Sequence, residues 1–230
     1  MTQIQIDDVL VDVIRSKRRK TLALAVRDAR VTVRMPEKLP LKHAEDFVIQ
    51  KQRWIKQKLA TQNPPVQLAF STGESLLFLG QPVILNVMDD AAANGIELTE
   101  DQLKLELKES SPAYTRRERW IRNWYQQQAE RYLQTRSKAL IDSTGLQPRS
   151  VTIKSYKARW GSCRLNGDIQ LNWKLIMAPP AVIDYVIIHE LCHLRQHNHS
   201  PAFWELVSCF TPDYKTLRQW LKDHGSKLSL

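Results

Sequence analysis

His189-Glu190-Leu191-Cys192-His193 is the stretch on which the interpretation of this chain depends. Two histidines four residues apart lie one above the other on the same face of a helix, close enough to bind one metal ion. A glutamate next to the first histidine can hold and deprotonate a water on that ion. The stretch therefore predicts a helix on which His189 and His193 are metal ligands and Glu190 is the catalytic base.

The residues just before this stretch are apolar on nearly every face of the predicted helix. Val186, Ile187 and Ile188 are consecutive, which predicts a helix that is buried all round. Polar side chains in such a helix cost free energy unless they have a partner, and a cation would give both imidazoles one. The apolar surroundings and the histidine spacing therefore agree on a metal site.

A third ligand is needed, and His197 or His199 can supply it. His197 continues the helical face, but it lies eight residues from His189, about 12 Å along a helix axis, too far for metal bonds of about 2 Å. The ligand must therefore come from chain that has left the helix. Asn198 suits such a break because asparagine tolerates left-handed geometry, and Ser200-Pro201 predicts the start of a new helix. This reasoning favours His199, with His197 as the alternative.

The pattern resembles the YgjP-like metallopeptidases, relatives of the WLM and SprT-like zinc peptidases. The resemblance is specific over about residues 150–210. Its first part is His189 to His193, followed by five residues and His199, then by Ser200 and Phe203-Trp204. Its second part lies upstream, in Arg159-Trp160-Gly161-Ser162-Cys163 and in Ile169 to Trp173.

The resemblance implies a zincin-like fold with Zn²⁺ on His189, His193 and His199 and with Glu190 as general base. It also implies that the strand Ile169–Asn172 forms the edge of the cleft, where an extended substrate can add as a further strand. The chain departs from the metzincin pattern, which has glycine midway between the second and third ligands, where this chain has Gln196. The turn to His199 must therefore be made differently.

Length and composition indicate a folded protein with a substantial core, because 43% of the 230 residues are hydrophobic. Three cysteines, Cys163, Cys192 and Cys209, are too few for a disulfide framework and indicate a reducing compartment. No apolar run approaches the roughly 18 residues of a membrane span, and the N-terminus has no basic-then-apolar signal peptide. These features predict a cytoplasmic protein without a membrane segment.

The net charge of +10 is unevenly distributed along the chain. Residues 1–60 carry 14 Lys and Arg against 7 Asp and Glu, and residues 111–160 carry 11 against 3. Such blocks can bind a polyanion weakly, with Arg116, Arg117 and Arg119 as candidate contacts. Solvated helix faces with acidic partners are the alternative.

Hydrophobic periodicity predicts an α+β protein. The first elements are a strand Ile4–Ile14, a hairpin Thr21–Met35 and a helix Leu41–Ala60, followed by the candidate linker Asn63-Pro64-Pro65. Two hairpins within residues 67–106 and a long helix Ser110–Ser143, starting at Ser111-Pro112, come next. The last part contains strands Ser150–Ser155 and Asp168–Trp173, a metal helix starting at Pro179-Pro180, and helices Pro201–Phe210 and Asp213–His224.

Two regions follow from this order of elements. Residues 1–110 form a β-rich N-terminal region with one helix, and residues 111–230 form the zincin-like catalytic domain, although one continuous domain would also fit. In the catalytic domain the metal helix packs on a mixed or antiparallel sheet. Trp160, Ser162 and Asn172 either face the cleft or only pack.

The residues favour a zinc-dependent hydrolase of the metallopeptidase type, in which Glu190 activates a zinc-bound water that attacks a carbonyl of a peptide or protein. Tyr185, Asn198 and Arg159 are candidate donors to the oxyanion. One alternative is hydrolysis of a nucleotide phosphoanhydride, such as a nucleoside triphosphate, although the chain has no Gly-rich phosphate loop. A non-catalytic zinc-containing nucleic-acid-binding protein is the other alternative.

Overall fold

The computed structural model describes residues 2–27, 30–61, 68–89, 94–107 and 114–230. The predicted linker Asn63-Pro64-Pro65 and the predicted helix start Ser111-Pro112 lie outside the described residues. The chain divides into two compact units, Met1–Gln67 and Leu68–Leu230, each with its own hydrophobic core. Both units combine strands and helices, so the α+β class is confirmed.

The first unit is a four-stranded sheet followed by one long helix. Its strands and helix are β1 (Thr2–Ile6), β2 (Val9–Ser16), β3 (Ala23–Arg27), β4 (Arg30–Pro36) and α1 (Leu41–Thr61). The strand order is β1-β2-β4-β3, with β2 and β4 parallel and the other pairs antiparallel. Alternate residues such as Val11 and Val33 are buried with Ala44 and Val48 of α1 in one core, as a half-buried sheet requires.

The prediction of one strand over Ile4–Ile14 was wrong. Two strands, β1 and β2, occupy this range and pair as a hairpin. The chain reverses at Asp7, whose φ of 49° lies in the left-handed region that aspartate tolerates. Hydrophobic residues recur on both sides of this tight turn. The alternating pattern in the sequence is therefore continuous across the turn and predicted one strand instead of two.

The second unit begins with a sheet of the same strand order. It contains β5 (Ser75–Phe78), β6 (Gln81–Asp89), β7 (Gly95–Leu98) and β8 (Gln102–Leu107), arranged β5-β6-β8-β7 with β6 and β8 parallel. A long helix, α2 (Tyr114–Thr144), follows it, as α1 follows the first sheet. The two predicted hairpins are confirmed. The arrangement of four strands and a helix thus occurs twice, a repeat that the sequence did not reveal.

This second sheet shares a core with α2 and with the C-terminal part of the chain. Leu85 and Leu105 of the sheet are buried in the same cluster as Ile121 and Tyr125 of α2. The Tyr125 hydroxyl also donates to the carbonyl of Leu77 at 2.9 Å. The second sheet, α2 and the C-terminal elements therefore belong to one compact unit, Leu68–Leu230.

The remaining elements build a three-stranded sheet and three helices. They are β9 (Ser150–Lys154), β10 (Gly161–Cys163), β11 (Asp168–Asn172), α3 (Pro180–Cys192), α4 (Pro201–Phe210) and α5 (Tyr214–His224), with short 3-10 helices at Trp173–Met177 and Gly225–Lys227. The sheet order is β10-β11-β9, antiparallel between β10 and β11 and parallel between β11 and β9.

The assignment of Ile169–Asn172 as the edge strand of the cleft was wrong. These residues belong to β11, which lies in the centre of the sheet with a neighbour on each side. The short strand β10 is the outer strand on the side that contacts α3. An alternating pattern shows that a strand is half buried, but it does not show where the strand lies in the sheet order.

Helix α3 is buried along most of its length, as its apolar sequence predicts; nine of its 13 residues are buried. An ion pair fixes its first half to α2. The Arg136 guanidinium donates through Nε and Nη2 to the two carboxylate oxygens of Asp184, both at 2.6 Å. Such a two-bond contact sets orientation as well as distance. Among the residues that the structure describes, no helix has the length and hydropathy needed to cross a bilayer.

Candidate active site

Three histidines converge at the end of α3. His189 lies in the last turn of the helix, His193 is the residue that caps it, and His199 comes from the loop before α4. One ring nitrogen from each lies within 4.8 Å of the others, and Nε2 of His189 is 3.1 Å from Nε2 of His199. Of the described histidines, the structure brings these three together and leaves His197 outside the group.

The return of the chain to His199 depends on the loop 193–200. The Cys192 carbonyl accepts from the backbone N–H of Arg195 at 3.1 Å and of Gln196 at 3.0 Å, which closes the end of α3. Ser200 then caps α4 by accepting from the N–H of Phe203 at 3.4 Å, as predicted from Ser200-Pro201.

The left-handed conformation predicted for Asn198 was wrong. Asn198 is absent from the described non-glycine residues with positive φ, which are Asp7, Phe70 and Leu79. Its side-chain oxygen instead accepts from the N–H of Ser200 at 3.2 Å. The helix has already ended at Cys192, six residues earlier, so no left-handed residue is required at position 198.

Gln196 orients the second histidine through its backbone. Nδ1 of His193 lies 2.9 Å from the carbonyl oxygen of Gln196, so this nitrogen carries the proton and donates it. The other nitrogen, Nε2, then has a free lone pair. This is the usual support for a metal-binding histidine, and here it needs no glycine at position 196.

Phe203 and Trp204 form an aromatic bed, a pair of rings that pack against the imidazoles. The buried ring of Phe203 stacks on His193 at 4.5 Å between centroids and meets His189 and His199 edge-on, both at 4.9 Å. Trp204 stacks on His199 at 5.6 Å. Close packing on three sides restricts the rotamers that the histidines can adopt.

The histidine cluster fits a divalent metal such as zinc. Burial lowers the pKa of His189 to about 3, helped by His193 and His199 nearby, and burial also lowers the pKa of His193. Neutral imidazoles expose lone pairs, and two lone pairs 3.1 Å apart repel unless a proton or cation lies between them. Tetrahedral zinc places ligand nitrogens about 3.3 Å apart at bonds of about 2.0 Å. The three nitrogens of the group, all within 4.8 Å of one another, are spaced on the same scale.

Glu190 lies beside this cluster and is almost fully enclosed. Its side chain is 6% exposed, and burial raises its pKa to about 7 against the opposing effects of Arg159 and of the backbone N–H of Cys163. The backbone of Gly161 in β10 is so close that an added Cβ would lie 2.6 Å from Oε1 of Glu190. The glycine therefore makes the room in which the carboxylate sits.

A cavity of about 340 Å³ opens in front of Glu190 and His189. Three elements line it: the start of β10, the middle of α3 and one face of α5. The lining residues are Trp160, Gly161, Tyr185, Val186, His189, Glu190, Arg218, Leu221 and Lys222. Trp160, Ser162 and Asn172 were predicted either to face the cleft or only to pack. Of these three, Trp160 lines the cavity.

Asn172 has a structural position instead. It is buried, and its amide nitrogen donates to the carbonyls of Tyr156 at 3.1 Å and Arg159 at 2.9 Å. Its oxygen accepts from the N–H of Lys174 at 3.2 Å. Asn172 therefore holds the loop that leads into β10. Ser162 lies in β10 and is not among the residues that line the cavity.

The three candidate oxyanion donors are placed differently from one another. Tyr185 lines the cavity one helical turn before His189, and burial raises the pKa of its hydroxyl. Asn198 belongs to the loop before α4, where it binds the backbone. The Arg159 guanidinium lies 5.3 Å from the Tyr156 ring, and its charge acts on Glu190. Of the three, the cavity lining includes only Tyr185.

Sequence reasoning missed the contributions of Gly161, Phe203, Arg218 and Lys222. In the sequence, Gly161 and Phe203 are only parts of a motif, because spacing along the chain does not show the contact of Gly161 with Glu190 or of Phe203 with three imidazoles. Arg218 and Lys222 follow the histidines by about twenty residues, on a helix predicted only from its periodicity. Their spacing of four residues on one helix face was the available signal.

The arginine-rich face of α2 is partly neutralised. Arg122 pairs with Glu118 at 2.5 Å, and Arg136 pairs with Asp184. Arg116 donates to the side chain of Asn94 at 3.2 Å. Polyanion binding through this face stays a prediction.

The chain is similar to proteins described as metallopeptidases. A solved structure, that of the metallopeptidase zymogen of Pyrococcus abyssi abylysin, is similar at 26% identity over 39% of this chain and 93% of that chain, with a TM-score of 0.35. No curated protein gives a significant match. A family model described as the YgjP-like metallopeptidase domain matches residues 20–224. Because this match covers most of the sequence, the chain belongs to the YgjP-like metallopeptidase family.

Proposed function

We propose that this protein is a zinc-dependent hydrolase of the metallopeptidase type, with a zincin-like catalytic domain. His189, His193 and His199 would hold the zinc ion, and Glu190 would be the general base. The observation that carries the proposal is that Glu190 and His189 line one cavity, while His193 and His199 converge on His189. Family membership supports a peptide or protein as substrate.

The chain prepares the three ligands before any ion is bound. His189 and His193 are neutral because burial lowers the pKa of each. His193 is held by the Gln196 carbonyl, and Phe203 packs against all three rings. When bound, zinc would polarise a substrate carbonyl and lower the pKa of a coordinated water.

Glu190 has the properties that a general base requires. Its pKa of about 7 lets it accept a proton from water and deliver that proton to the leaving amine near neutral pH. Its position is fixed on one side by the Gly161 backbone and on another by the N–H of Cys163. These contacts leave the carboxyl few alternative positions.

The free edge of β10 is suited to an extended peptide. The Trp160 carbonyl accepts from Asn172 N–H, and Arg164 N–H donates to Asp168, so these residues pair inward with β11. Gly161 and Cys163 alternate with them and direct their backbone groups outward. The Cys163 N–H already binds Glu190, but a substrate strand can pair with the outward groups of Gly161, next to Glu190.

The test is hydrolysis of a mixed peptide library by zinc-loaded protein, followed by mass spectrometry. We expect cleavage that a chelator abolishes and zinc restores. The Glu190→Gln variant should keep zinc and lose at least about 100-fold in rate, the least expected of a general base. Wild-type rates in Glu190→Gln would remove Glu190 from the mechanism.

The same assay includes nucleoside triphosphates and nucleic acid, which test the two alternative functions. Chelator-sensitive hydrolysis of a triphosphate without peptide cleavage would replace the peptidase proposal by phosphoanhydride hydrolysis. Nucleic-acid binding by a protein that hydrolyses neither class would replace it by the non-catalytic alternative.

A further inference from the structure

Helix α5 places two cationic side chains at the cavity that holds Glu190. Arg218 and Lys222 are four residues apart, lie on one face of the helix, and both line the cavity together with Leu221. Both side chains are exposed, so a ligand in the cavity could reach them. The opposite wall is the start of β10, with Trp160 and Gly161.

The charges of Arg218 and Lys222 are not paired with an acidic side chain among the described residues. The adjacent acid on α5, Asp223, accepts instead from the Gln219 amide, at 2.9 Å to each carboxylate oxygen. Glu190 is the one acidic residue of the cavity lining.

Arg218 is also held in position by aromatic rings. Its guanidinium lies 4.7 Å from the centre of the Trp204 ring, and Tyr214 stacks on the same indole at 5.3 Å. A guanidinium stacked in this way keeps its N–H edge free for an oxyanion. Trp204 in turn stacks on His199, so the cation is supported by the same aromatic bed as the histidines.

We propose that Arg218 and Lys222 form a subsite for an oxyanion of the substrate, next to the bond that is hydrolysed. Arg218 supplies a fork of N–H donors that matches a carboxylate or phosphate, and Lys222 supplies a second, compact charge. The enzyme would then prefer anionic substrates over neutral ones of the same size. The inference deepens the proposed hydrolase function and rests on it for the reaction, but the binding step can be measured separately.

The experiment measures binding by calorimetry to the full-length, zinc-loaded Glu190→Gln protein, in which turnover is suppressed. The probes are acetyl-tetraalanine with a free C-terminal carboxylate, the same peptide as its amide, the amide with one alanine replaced by glutamate, and ATP. The first and third probes separate a terminal from a side-chain carboxylate, and ATP tests phosphate as the source of the oxyanion.

We expect at least one anionic probe to bind about tenfold more tightly than the neutral amide, the order that one charge-assisted contact contributes. Arg218→Gln and Lys222→Gln should each remove most of this preference, and Arg218→Lys should keep part of it. Lys215→Gln is the matched control, because Lys215 is an exposed cation of the same helix that does not line the cavity.

Equal affinity for all four probes would overturn the subsite, as would an anion preference that survives both glutamine variants. If Arg218 only supports Trp204, Arg218→Gln would lower zinc affinity and thermal stability without changing the ratio of dissociation constants, which also overturns the inference. The binding preference for anionic probes could depend on Arg218 and Lys222 while the wild-type protein hydrolyses no peptide. That result would support the oxyanion subsite and reject the peptidase proposal. The two failures are therefore distinguishable.

Discussion

The backbone of Gly161 and the carboxyl of Glu190 are in direct contact, and a Cβ on residue 161 would lie 2.6 Å from Oε1 and 2.7 Å from Cγ of Glu190. Both distances are shorter than non-bonded atoms allow, and Glu190 is buried, so it has little space to withdraw. The φ of Gly161 is not in the positive range that favours glycine, so the backbone conformation does not require glycine here. Glycine is needed because a Cβ would collide with Glu190. Strand β10 and the Glu190 carboxyl are thus sterically complementary.

Gly161→Ala should therefore displace Glu190 while leaving the histidines in place. We expect hydrolysis to fall about 100-fold, the size of effect that a displacement of about 1 Å produces at a reacting group. Zinc content should stay at the wild-type level, because the added methyl group meets Glu190 and not a ligand. The measurements are the rate on a confirmed substrate and the metal content by atomic absorption.

Gly95→Ala is the control for this substitution. Gly95 also lies in a strand, but its added Cβ would meet only Glu106 Oε2, at an ordinary 3.5 Å. It should keep wild-type activity. If Gly161→Ala were as active as Gly95→Ala, the carboxyl would not depend on the glycine.

The third ligand is tested by comparing two histidines that are two residues apart. His199→Ala should lose most of the bound zinc, because one nitrogen of three is removed from the cluster. His197→Ala should keep about one zinc per chain, because His197 is exposed and outside the cluster. If His199→Ala retained zinc and His197→Ala lost it, His197 and not His199 would be the third ligand. Titration against a chromogenic chelator measures both.

The sequence predicted the helix that leads to His189 and His193 well because its information is local. The spacing of His189 and His193, the apolar residues before them and Pro180 at the helix start all act within one element. His199 could be favoured over His197 because bond lengths and helix rise exclude the second on distance alone. The capping of α4 by Ser200 is local in the same way.

What the sequence did not reveal is long-range. That β11 is central and β10 is the edge depends on pairing between segments, and alternation is the same in both positions. The tight turn at Asp7 was missed because one residue with positive φ interrupts an otherwise continuous pattern. Arg218 reaches the cavity only because α5 packs against α3. No spacing within one element encodes that contact.

Phe203 should tune metal affinity although it cannot bind metal. Phe203→Leu keeps an apolar side chain but removes the flat ring that stacks on His193 and meets His189 and His199. We expect zinc affinity to fall about tenfold, the lower end of effects seen for residues that orient ligands. The free energy of unfolding of the metal-free protein should fall by about 1–2 kcal/mol, less than for complete truncation of the ring.

Phe210→Leu is the matched variant on the same helix, with a ring that is only partly buried. It should leave zinc affinity unchanged. Equal zinc affinity in the two leucine variants would mean that the aromatic bed contributes packing alone. Competition with a chelator of known affinity gives both constants, and urea denaturation gives the stabilities.

The burial of Glu190 predicts how the stability of the metal-free protein depends on pH. Its pKa is 4.5 in an unstructured chain and about 7 in the folded protein. Between these values the folded state holds a proton that the unfolded state releases, so this group makes stability fall as pH rises, by up to about 1.4 kcal/mol per pH unit. Below pH 4.5 the carboxyl is neutral in both states, and above about 7 it is ionised in both.

Glu190→Gln removes this titration and keeps the size of the side chain. In the presence of chelator, the variant should match the wild type near pH 4.5 and exceed its free energy of unfolding by a few kcal/mol, on the order of 3, at pH 8. The effects of the buried histidines on stability occur in both proteins, so the difference between the two curves isolates residue 190. Urea denaturation at half-unit steps of pH measures it. Parallel curves would show that the Glu190 carboxyl titrates as if exposed to solvent, and burial would then not be what brings this base into the neutral range.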